Sequence, residues 1–244
     1  MSKVEITGNK AVIRLSEVQA ELRTRLSPED VSMSASIMNR AREKRDFLRK
    51  MFSGKLCPEE CGYKDTTRSI PFGDFESEIM FVRKAPTRME HVSMFSHSDT
   101  EGYMLMLILS KLGVNPEDFY FTDFMKCYPG EKIHAPSCVL CMKSYFLKEL
   151  DIVKPKLIIA EGSQVLNALN SRVFESSVPC VPGMVSVTTI RGGMLVQASC
   201  IYDTSLMFDD IPESSVIEKK GSLWKQVNQI FHSYYQGGTN GKEN

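Results

Sequence analysis

Short apolar runs alternate with stretches of helical periodicity along most of the chain. Runs of about four to eight apolar or β-branched residues bounded by turn-forming residues are typical of buried strands. The predicted strands are 78–82, 119–124, 156–160, 185–190 and 194–199. The predicted helices are 102–112, 144–152 and 163–169. This alternation predicts an α/β fold with three layers, α/β/α, around a central and mainly parallel sheet.

The two ends of the chain differ from this pattern. Residues 1–55 are predicted to form an N-terminal extension of short strands and helices, in which 3–7 pairs with 11–15 across a short turn. The main α/β domain is predicted at 56–235. Residues 236–244 are rich in Gly, Thr and Asn and are predicted to be a disordered tail.

Composition narrows the choice of partner and compartment. With 42% hydrophobic residues, the chain has the composition of an ordinary globular protein. Its 30 basic residues equal its 30 acidic residues, so any DNA partner must be held by a local basic patch. The sequence has no N-terminal apolar segment and no run of 18 apolar residues, which predicts a cytoplasmic protein without a membrane partner.

Seven cysteines in such a chain favour reduced thiols over a disulfide framework. Cys57 and Cys61 form a close pair before the first core strand, whereas Cys127 and Cys141 bracket a loop, with Cys138 nearby. Soft sulfur ligands suit an iron-sulfur cluster or zinc. Free buried cysteines are the third interpretation.

One predicted strand ends in residues that point to a ligand site. The apolar run 119–124 contains Asp123 and is followed at once by Lys126 and Cys127. The carboxyl end of a central strand is where open α/β sheets bind ligands. Asp123 can also be a turn former or helix cap, which is the alternative interpretation.

The region 57–206 resembles the iron-sulfur branch (family four) of the uracil-DNA glycosylase superfamily. That branch shows a cysteine pair, then G-E-x-P-G-x-x-E, F-x-G-x-x-G, T-N-x-x-K-C-x-P, a later cysteine, P-K-x-I-x-x-L-G and a final H-P-S. The corresponding segments here, in the same order, are Cys57 with Cys61, 82–90, 95–102, 122–129, Cys141 and 154–162. The resemblance implies a glycosylase fold that acts on DNA.

The resemblance also assigns the cysteines. It implies a 4Fe-4S cluster held by Cys57, Cys61, Cys127 and Cys141, with zinc as the less favoured metal. Cys138 is the alternative fourth ligand.

Three departures fall in the motifs that carry the family's chemistry. Arg83 and Lys84 stand where the family has Gly-Glu. The strand leading to 198–203 reaches the place of H-P-S without a histidine. Asp123 replaces the Asn that reads uracil. An unmodified uracil glycosylase is therefore not expected.

The change to Asp123 predicts a different base. An Asn amide both donates and accepts, whereas an ionised Asp only accepts. Cytosine presents an N4 amino donor, and a carboxylate is its usual partner. Since normal cytosine must be spared, the predicted substrate is a modified cytosine, such as the hydroxymethylated or glucosylated base of some viral DNAs, in a defence role.

Chemistry and position in these motifs suggest a role for each further candidate residue, and a solvated loop tip is the alternative for each charged one. Lys84 would stabilise charge on the departing base, with Glu90 or Asp99 steering water or steadying the sugar cation. Ala85, Pro86 and Phe95 would line the base pocket with Asp123, with Phe95 as the stacking platform. The predicted phosphate contacts are Arg83, Arg88 and Lys126. The polar loop 96–100 would make room for a substituent.

Three other functions stay open from the sequence. The first is an inactive DNA-binding protein that keeps the fold and the cluster. The second is a uracil-DNA glycosylase with unusual motifs. The third is a metal-binding regulatory or assembly protein without DNA affinity.

Overall fold

The computed structural model describes residues 5–7, 10–12, 39, 42–51, 53–64, 66–130, 135–204 and 213–237. The chain divides into two compact units, Met1–Asp46 and Phe47–Asn244. In the first unit, β1 (Glu5–Thr7) pairs antiparallel with β2 (Lys10–Val12), in agreement with the predicted pairing. The rest of the predicted structure before residue 39 lies outside the described residues.

The unit boundary precedes the one predicted at residue 55. Residues 42–51 form helix α1. Phe47 and Met51 are buried in one apolar cluster with Ile70, Met125 and Tyr145. These two side chains therefore belong to the core of the second unit.

The second unit is built on a six-stranded sheet. Its strands are β3 (Phe72–Gly73), β4 (Ile79–Arg83), β5 (Tyr120–Asp123), β6 (Leu157–Glu161), β7 (Ser186–Ile190) and β8 (Met194–Ile201). They lie in the order β3-β5-β4-β6-β8-β7. The inner strands β5, β4, β6 and β8 are parallel, and both edge strands are antiparallel. The predicted mainly parallel sheet is confirmed.

Helices cover both faces of this sheet. They are α2 (Arg88–Ser93), α3 (Thr100–Lys111), α4 (Ala135–Cys141), α5 (Leu147–Val153), α6 (Ser163–Arg172) and α7 (Glu213–Gly237), with a π-helical turn at Met142–Phe146 and a 3₁₀ turn at Pro116–Asp118. None of the described helices is both long and apolar enough to cross a membrane. Helix α7 ends at Gly237, the second residue of the predicted tail, and residues 238–244 lie outside the described residues.

Alternate residues of the strands pack into two separate apolar cores, one on each face of the sheet. Val82 and Ile158 face one side, where Leu150 of α5 and Leu166 of α6 pack. On the other face, Phe81 and Ile159 pack against Leu105 and Ile108 of α3 and against Leu223 and Val227 of α7. Burying each such side chain stabilises the fold by about 1.5 to 3 kcal/mol. The predicted three-layer α/β/α architecture is confirmed.

Candidate active site

Three charged residues end three neighbouring strands at one edge of the sheet. Arg83 ends β4, Asp123 ends β5 and Glu161 ends β6. Because these strands are parallel, their last residues meet at the carboxyl edge, and Arg83 stands opposite Asp123 in the ladder. This edge is where open α/β sheets bind ligands. We therefore take the strand ends as the candidate active site.

A cavity of about 580 Å³ lies at the opposite, amino edge of the sheet. It is lined by Glu78 and Ile79 at the start of β4, by Phe119 before β5, and by Tyr234 of α7. It contains no predicted site residue. We therefore place the candidate site at the charged strand ends and not in this cavity.

Asp123 has one carboxylate oxygen that accepts a hydrogen bond and one that accepts none from the described residues. The side chain is 1% exposed. Its Oδ2 accepts a hydrogen bond of 2.8 Å from the Ser69 hydroxyl. Its Oδ1 has no hydrogen-bond partner among the described residues and lies 3.6 Å from Arg83 Nε, which also has none. An acceptor and a donor thus stand side by side at the end of the strands.

Arg83 is the centre of a buried ionic network. Its guanidinium donates to both oxygens of Asp99, at 3.1 and 3.0 Å, and also to Glu90. The side chain is only 2% exposed. Because buried carboxylates occupy the terminal nitrogens of Arg83, the arrangement does not favour its predicted contact with DNA phosphates, which stays a prediction.

Glu90 and Asp99 hold this network and the helices that follow the strand. Glu90 forms a capping box with Thr87 at the start of α2, and Asp99 caps α3 by accepting from Gly102 N–H at 2.9 Å. Burial opposes ionisation of Asp99, but Arg83 and the Gly102 N–H together lower its pKa below the ordinary value. Both carboxylates are buried and fully engaged, so this arrangement does not favour the predicted role in steering water.

Lys84 follows Arg83 and reaches the crevice at the strand ends. Its side chain is half-buried, and Nζ donates to Gln164 Oε1 at 2.5 Å. Gln164 lies in the first turn of α6, directly after β6. Lys84 is thus a partly accessible cation at the carboxyl ends of the strands.

The other predicted pocket residues follow Lys84 along the chain. Ala85 is half-buried, Pro86 is buried and Arg88 is exposed. Phe95 is 49% exposed, and its backbone forms a bridge with Ile70, the neighbour of Ser69. An exposed Phe95 next to the segment that holds Asp123 suits the predicted stacking role, and Arg88 stays a candidate phosphate contact.

Lys126 points into the core instead of toward DNA. It is fully buried, and its Nζ donates to Glu149 at 2.6 Å and to Thr122. Tyr120 also donates to Glu149, at 3.0 Å. This burial does not favour the predicted phosphate contact by Lys126, which stays a prediction. Burial raises the pKa of Glu149, and the Lys126 ammonium opposes that rise.

The sequence interpretation missed a histidine at this edge. His97 Nε2 lies 2.6 Å from Glu161 Oε1, and Thr204 donates to the other oxygen of Glu161 at 2.7 Å. Burial opposes ionisation of Glu161, but His97 and Arg83 lower its pKa. His97 has a φ of 59°, a conformation that favours glycine. The available signal was its position in the segment that resembles F-x-G, where it takes the place of the glycine.

Four of the cysteines share one region beside β5. Cys61 raises the pKa of Cys57, Cys127 and Cys141 by its proximity, in addition to the larger effect of burial. The pKa of Cys57 is raised to about 11. The charged neighbours of Cys138 are Arg172 and Lys84 instead of thiols. The arrangement favours Cys141 over Cys138 as the fourth member of the group.

Further contacts fix two of these sulfurs. Cys141 Sγ accepts the Lys126 N–H at 3.1 Å, and Cys127 Sγ lies 3.7 Å from Tyr63 O. The donor type fits an iron-sulfur cluster, since such clusters are held by four thiolates. However, no three Cys, His or acidic side chains of the described residues stand close enough together to hold a metal ion. The 4Fe-4S cluster therefore stays a prediction.

Comparisons with known proteins show which family and which relatives this chain is similar to. Residues 70–228 match the sequence model of the uracil DNA glycosylase superfamily. The chain is 29% identical over 119 residues to the Type-4 uracil-DNA glycosylase of Archaeoglobus fulgidus, covering 48% of this chain and 58% of the relative. It is 25% identical over 122 residues to that of Thermotoga maritima, covering 49% and 58%.

A third relative, the Type-4 uracil-DNA glycosylase of Sulfurisphaera tokodaii, is 23% identical over 151 residues, or 60% of this chain and 66% of the relative. The chain spans less than two thirds of the length of the first two relatives. The family match covers well over half of this chain and includes every strand of the large sheet. This chain belongs to the uracil-DNA glycosylase superfamily.

Proposed function

We propose that this protein is a DNA glycosylase that cleaves the N-glycosidic bond of a flipped, modified cytosine-type base and leaves an abasic site. Its superfamily supports the reaction class. The observation that carries the choice of base is the Asp123 oxygen that lacks a hydrogen-bond partner in the described part of the chain.

Asp123 discriminates between bases by what it can accept. Its Oδ2 is engaged by Ser69, so Oδ1 is the oxygen left for a ligand. The N4 amino group of cytosine donates to such an oxygen, whereas the O4 acceptor of uracil does not. A buried polar group left unpaired costs about 1 to 3 kcal/mol, which is a preference of about 5- to 150-fold.

Arg83 contributes a donor beside that acceptor. Its Nε–H has no acceptor among the described residues and lies 3.6 Å from Asp123 Oδ1. The Watson–Crick edge of cytosine likewise has a donor, the N4 amino group, next to an acceptor, the ring nitrogen N3. Uracil presents the same two kinds of group, as O4 and N3–H, so Arg83 and Asp123 together complement a pyrimidine edge, and the preference for cytosine rests on Asp123 Oδ1 as the acceptor of the N4 amino group. We assign Arg83 to base reading instead of phosphate binding.

A second criterion protects ordinary cytosine. An enzyme that released it would damage its own genome, so we propose a hydroxymethylated or glucosylated cytosine, such as viral DNA carries, and a defence role. The loop 96–100 does not provide the predicted room for the substituent, because Ser96, His97 and Asp99 are buried. The substituent must instead be accommodated toward the exposed side chains around Phe95.

Lys84 is the residue proposed to assist bond cleavage. In the hydrolysis, water adds its hydroxyl to C1′ of the sugar, and the base leaves with the proton. Negative charge builds on the departing base, and a fixed cation beside it lowers the barrier. Lys84 adjoins Arg83 at the end of β4, and Gln164 holds its ammonium. Glu90 and Asp99 serve the Arg83 network and are not included in this step.

We also propose that Cys57, Cys61, Cys127 and Cys141 hold a 4Fe-4S cluster. Support comes from the shared region of their thiols and from the soft donor type. When bound, the cluster would join three segments of the chain covalently. Cys127 lies four residues after Asp123, so the cluster would stiffen the segment that follows the base-reading strand.

The test uses purified protein with DNA that contains uracil, cytosine, hydroxymethylcytosine or glucosylated hydroxymethylcytosine. Abasic sites and released bases are measured for the wild type and for Asp123→Asn. We expect release of a modified cytosine, with Asp123→Asn losing it or turning to uracil. Asp151→Asn makes the same change at an exposed position of α5 and should behave as the wild type.

The other outcomes separate the alternatives. Release of uracil alone by the wild type would refute the proposed base and support a uracil glycosylase with unusual motifs. Binding of DNA without release of any base would support the inactive DNA-binding protein. A protein that neither binds nor cleaves DNA would support the regulatory alternative.

A further inference from the structure

Two further cysteines lie close together at the carboxyl end of β8, apart from the four thiols beside β5. The sulfurs of Cys180 and Cys200 are 3.9 Å apart, and both residues are free thiols. Cys200 is in the last turn of the strand ladder of β8, and Cys180 lies in the segment between α6 and β7. A disulfide places its sulfurs about 2.05 Å apart, so these two need to approach by about 2 Å.

The two thiols differ in their access to solvent. Cys180 is exposed, whereas Cys200 is only 1% exposed. Burial, together with the nearby Cys180, raises the pKa of Cys200 to about 12, so that Cys200 is kept as a neutral thiol. A small oxidant in solution therefore reaches Cys180 first. An accessible thiol beside a second cysteine that can resolve its oxidised form is the arrangement of redox-sensitive sites.

The backbone on both sides of Cys180 is anchored. Before it, Val178 N–H donates to Asn170 Oδ1 at 2.8 Å, and Asn170 Nδ2 donates to Val178 O at 2.9 Å. After it, Gly183 N–H donates to Cys200 O at 2.9 Å. The native contacts have thus already closed the loop between the two thiols. Joining the sulfurs costs little additional chain entropy, and their proximity favours reaction with each other.

We infer that Cys180 and Cys200 are a modification site for hydrogen peroxide, at which they form a reversible disulfide. Cys180 is the residue that the peroxide oxidises, and Cys200 is the residue that resolves the oxidised form. The inference is independent of the proposed function, since it requires neither DNA nor a metal cluster.

The chemistry takes place in two balanced steps. In the first, the Cys180 thiolate attacks one oxygen of the peroxide, the O–O bond breaks, and the hydroxide that leaves takes up the proton lost by the thiol. Cys180 is then a sulfenic acid. In the second, the Cys200 sulfur attacks the Cys180 sulfur, the S–O bond breaks, and the hydroxide leaves as water with the Cys200 proton. Two thiols and one peroxide thus give one disulfide and two water molecules, and a dithiol reductant restores the thiols.

The disulfide would restrain the chain next to the candidate active site. It closes a loop between residues 20 positions apart in the sequence. Cys200 stands opposite Ala160 in the ladder, one residue before the level of Glu161. Thr204, four residues after Cys200, donates to that Glu161 carboxylate. Oxidation therefore fixes the strand end from which the Thr204 contact with Glu161 is made.

The test is peptide mapping of the full-length protein after treatment with hydrogen peroxide and alkylation of the remaining thiols. Trypsin cleaves after Arg172, Arg191 and Lys219, which places Cys180 and Cys200 in separate peptides, 173–191 and 192–219, with a single cysteine in each. We expect loss of both alkylated peptides and the appearance of one linked peptide in monomeric protein. Dithiothreitol should restore the two separate peptides.

Two variants control this measurement. Cys180→Ser should give no linked peptide and should leave Cys200 as a free thiol. Cys138→Ser removes a half-buried thiol whose charged neighbours are Arg172 and Lys84, and it should form the linked peptide as the wild type does. After equal peroxide treatment, the wild type should melt about 6 to 12 °C above Cys180→Ser, because the disulfide constrains the unfolded chain. Comparing equally treated proteins cancels any effect of peroxide on the other cysteines.

Several results would overturn the inference. One is oxidation of Cys180 to its sulfinic or sulfonic acid without the linked peptide, since this would show that Cys200 does not resolve the sulfenic acid. Another is a linked peptide found only in a covalent dimer. A third is a linked peptide that still forms in Cys180→Ser through another cysteine. A linked peptide without a rise in melting temperature would overturn the restraint on the end of β8.

Discussion

Replacing Arg83 with Met tests the buried network at the end of β4. The substitution keeps much of the side-chain volume but removes the partner of Asp99, Glu90 and Asp123, none of which is more than 2% exposed. Removing one member of a buried ion pair costs about 3 to 5 kcal/mol, because the remaining charge is left unpaired. For a chain of this size, that corresponds to a fall in melting temperature of about 6 to 20 °C.

The loss of stability in Arg83→Met should depend on pH, and the direction of this dependence follows from the pKa of Asp99. In the native protein the pKa of Asp99 is lowered, so its contribution is present above the unfolded pKa of about 3.9 and is lost as pH falls through the folded value. Without Arg83, burial raises this pKa instead, and proton uptake relieves the penalty. The difference between wild type and variant is therefore largest near neutral pH and narrows toward pH 4.

The assay is urea unfolding of both proteins at pH 7 and near pH 4. The control is Arg172→Met, which removes an exposed guanidinium from the end of α6 and should shift stability by no more than about 0.5 kcal/mol. A loss below about 1 kcal/mol at pH 7, or one that is equal at both pH values, would refute the argument that Arg83 neutralises buried carboxylates.

Three further substitutions test separate parts of the structure. Lys126→Met should lower the free energy of unfolding, measured with urea, by about 3 to 5 kcal/mol, and it should leave the salt dependence of DNA affinity unchanged. A weaker salt dependence in this variant would support the predicted phosphate contact. Cys141→Ser should abolish the visible absorbance and bound iron of the purified protein, whereas Cys138→Ser should retain them; the reverse result would reassign the fourth ligand. Lys84→Met should lower the single-turnover rate of base release about 10²-fold with little change in DNA affinity, and Lys148→Met, on the exposed face of α5, should not.

The strands could be predicted because their signal is local. The apolar run in β6 is buried on both faces, and so is its neighbour β4. The same holds for β5, so the position of Asp123 at a strand end could be predicted from the sequence as well. The alternation of strands and helices was then enough to predict that these strands are parallel and end at the same edge of the sheet.

The pairing of charges could not be predicted in this way. Lys126 meets Glu149 from a helix 23 residues further on, and His97 meets Glu161 across 64 residues. Nothing in the residues next to Lys126 distinguishes a buried ammonium from an exposed one. A lysine directly after a strand favoured the prediction of a phosphate contact, whereas in the fold its ammonium binds the Glu149 carboxylate.

The departures from the family pattern at Arg83 and Asp123 are one physical change. The family has a glycine and an asparagine at these positions, both neutral, whereas this chain has opposite charges 3.6 Å apart on adjacent strands. An Asp alone would bury an unpaired charge, and an Arg alone would lack one of its carboxylates. Each residue neutralises the charge that the other buries. A change of base specificity in Asp123→Asn therefore has to be interpreted together with the folding stability of that variant, in which Arg83 has lost one of its carboxylate partners.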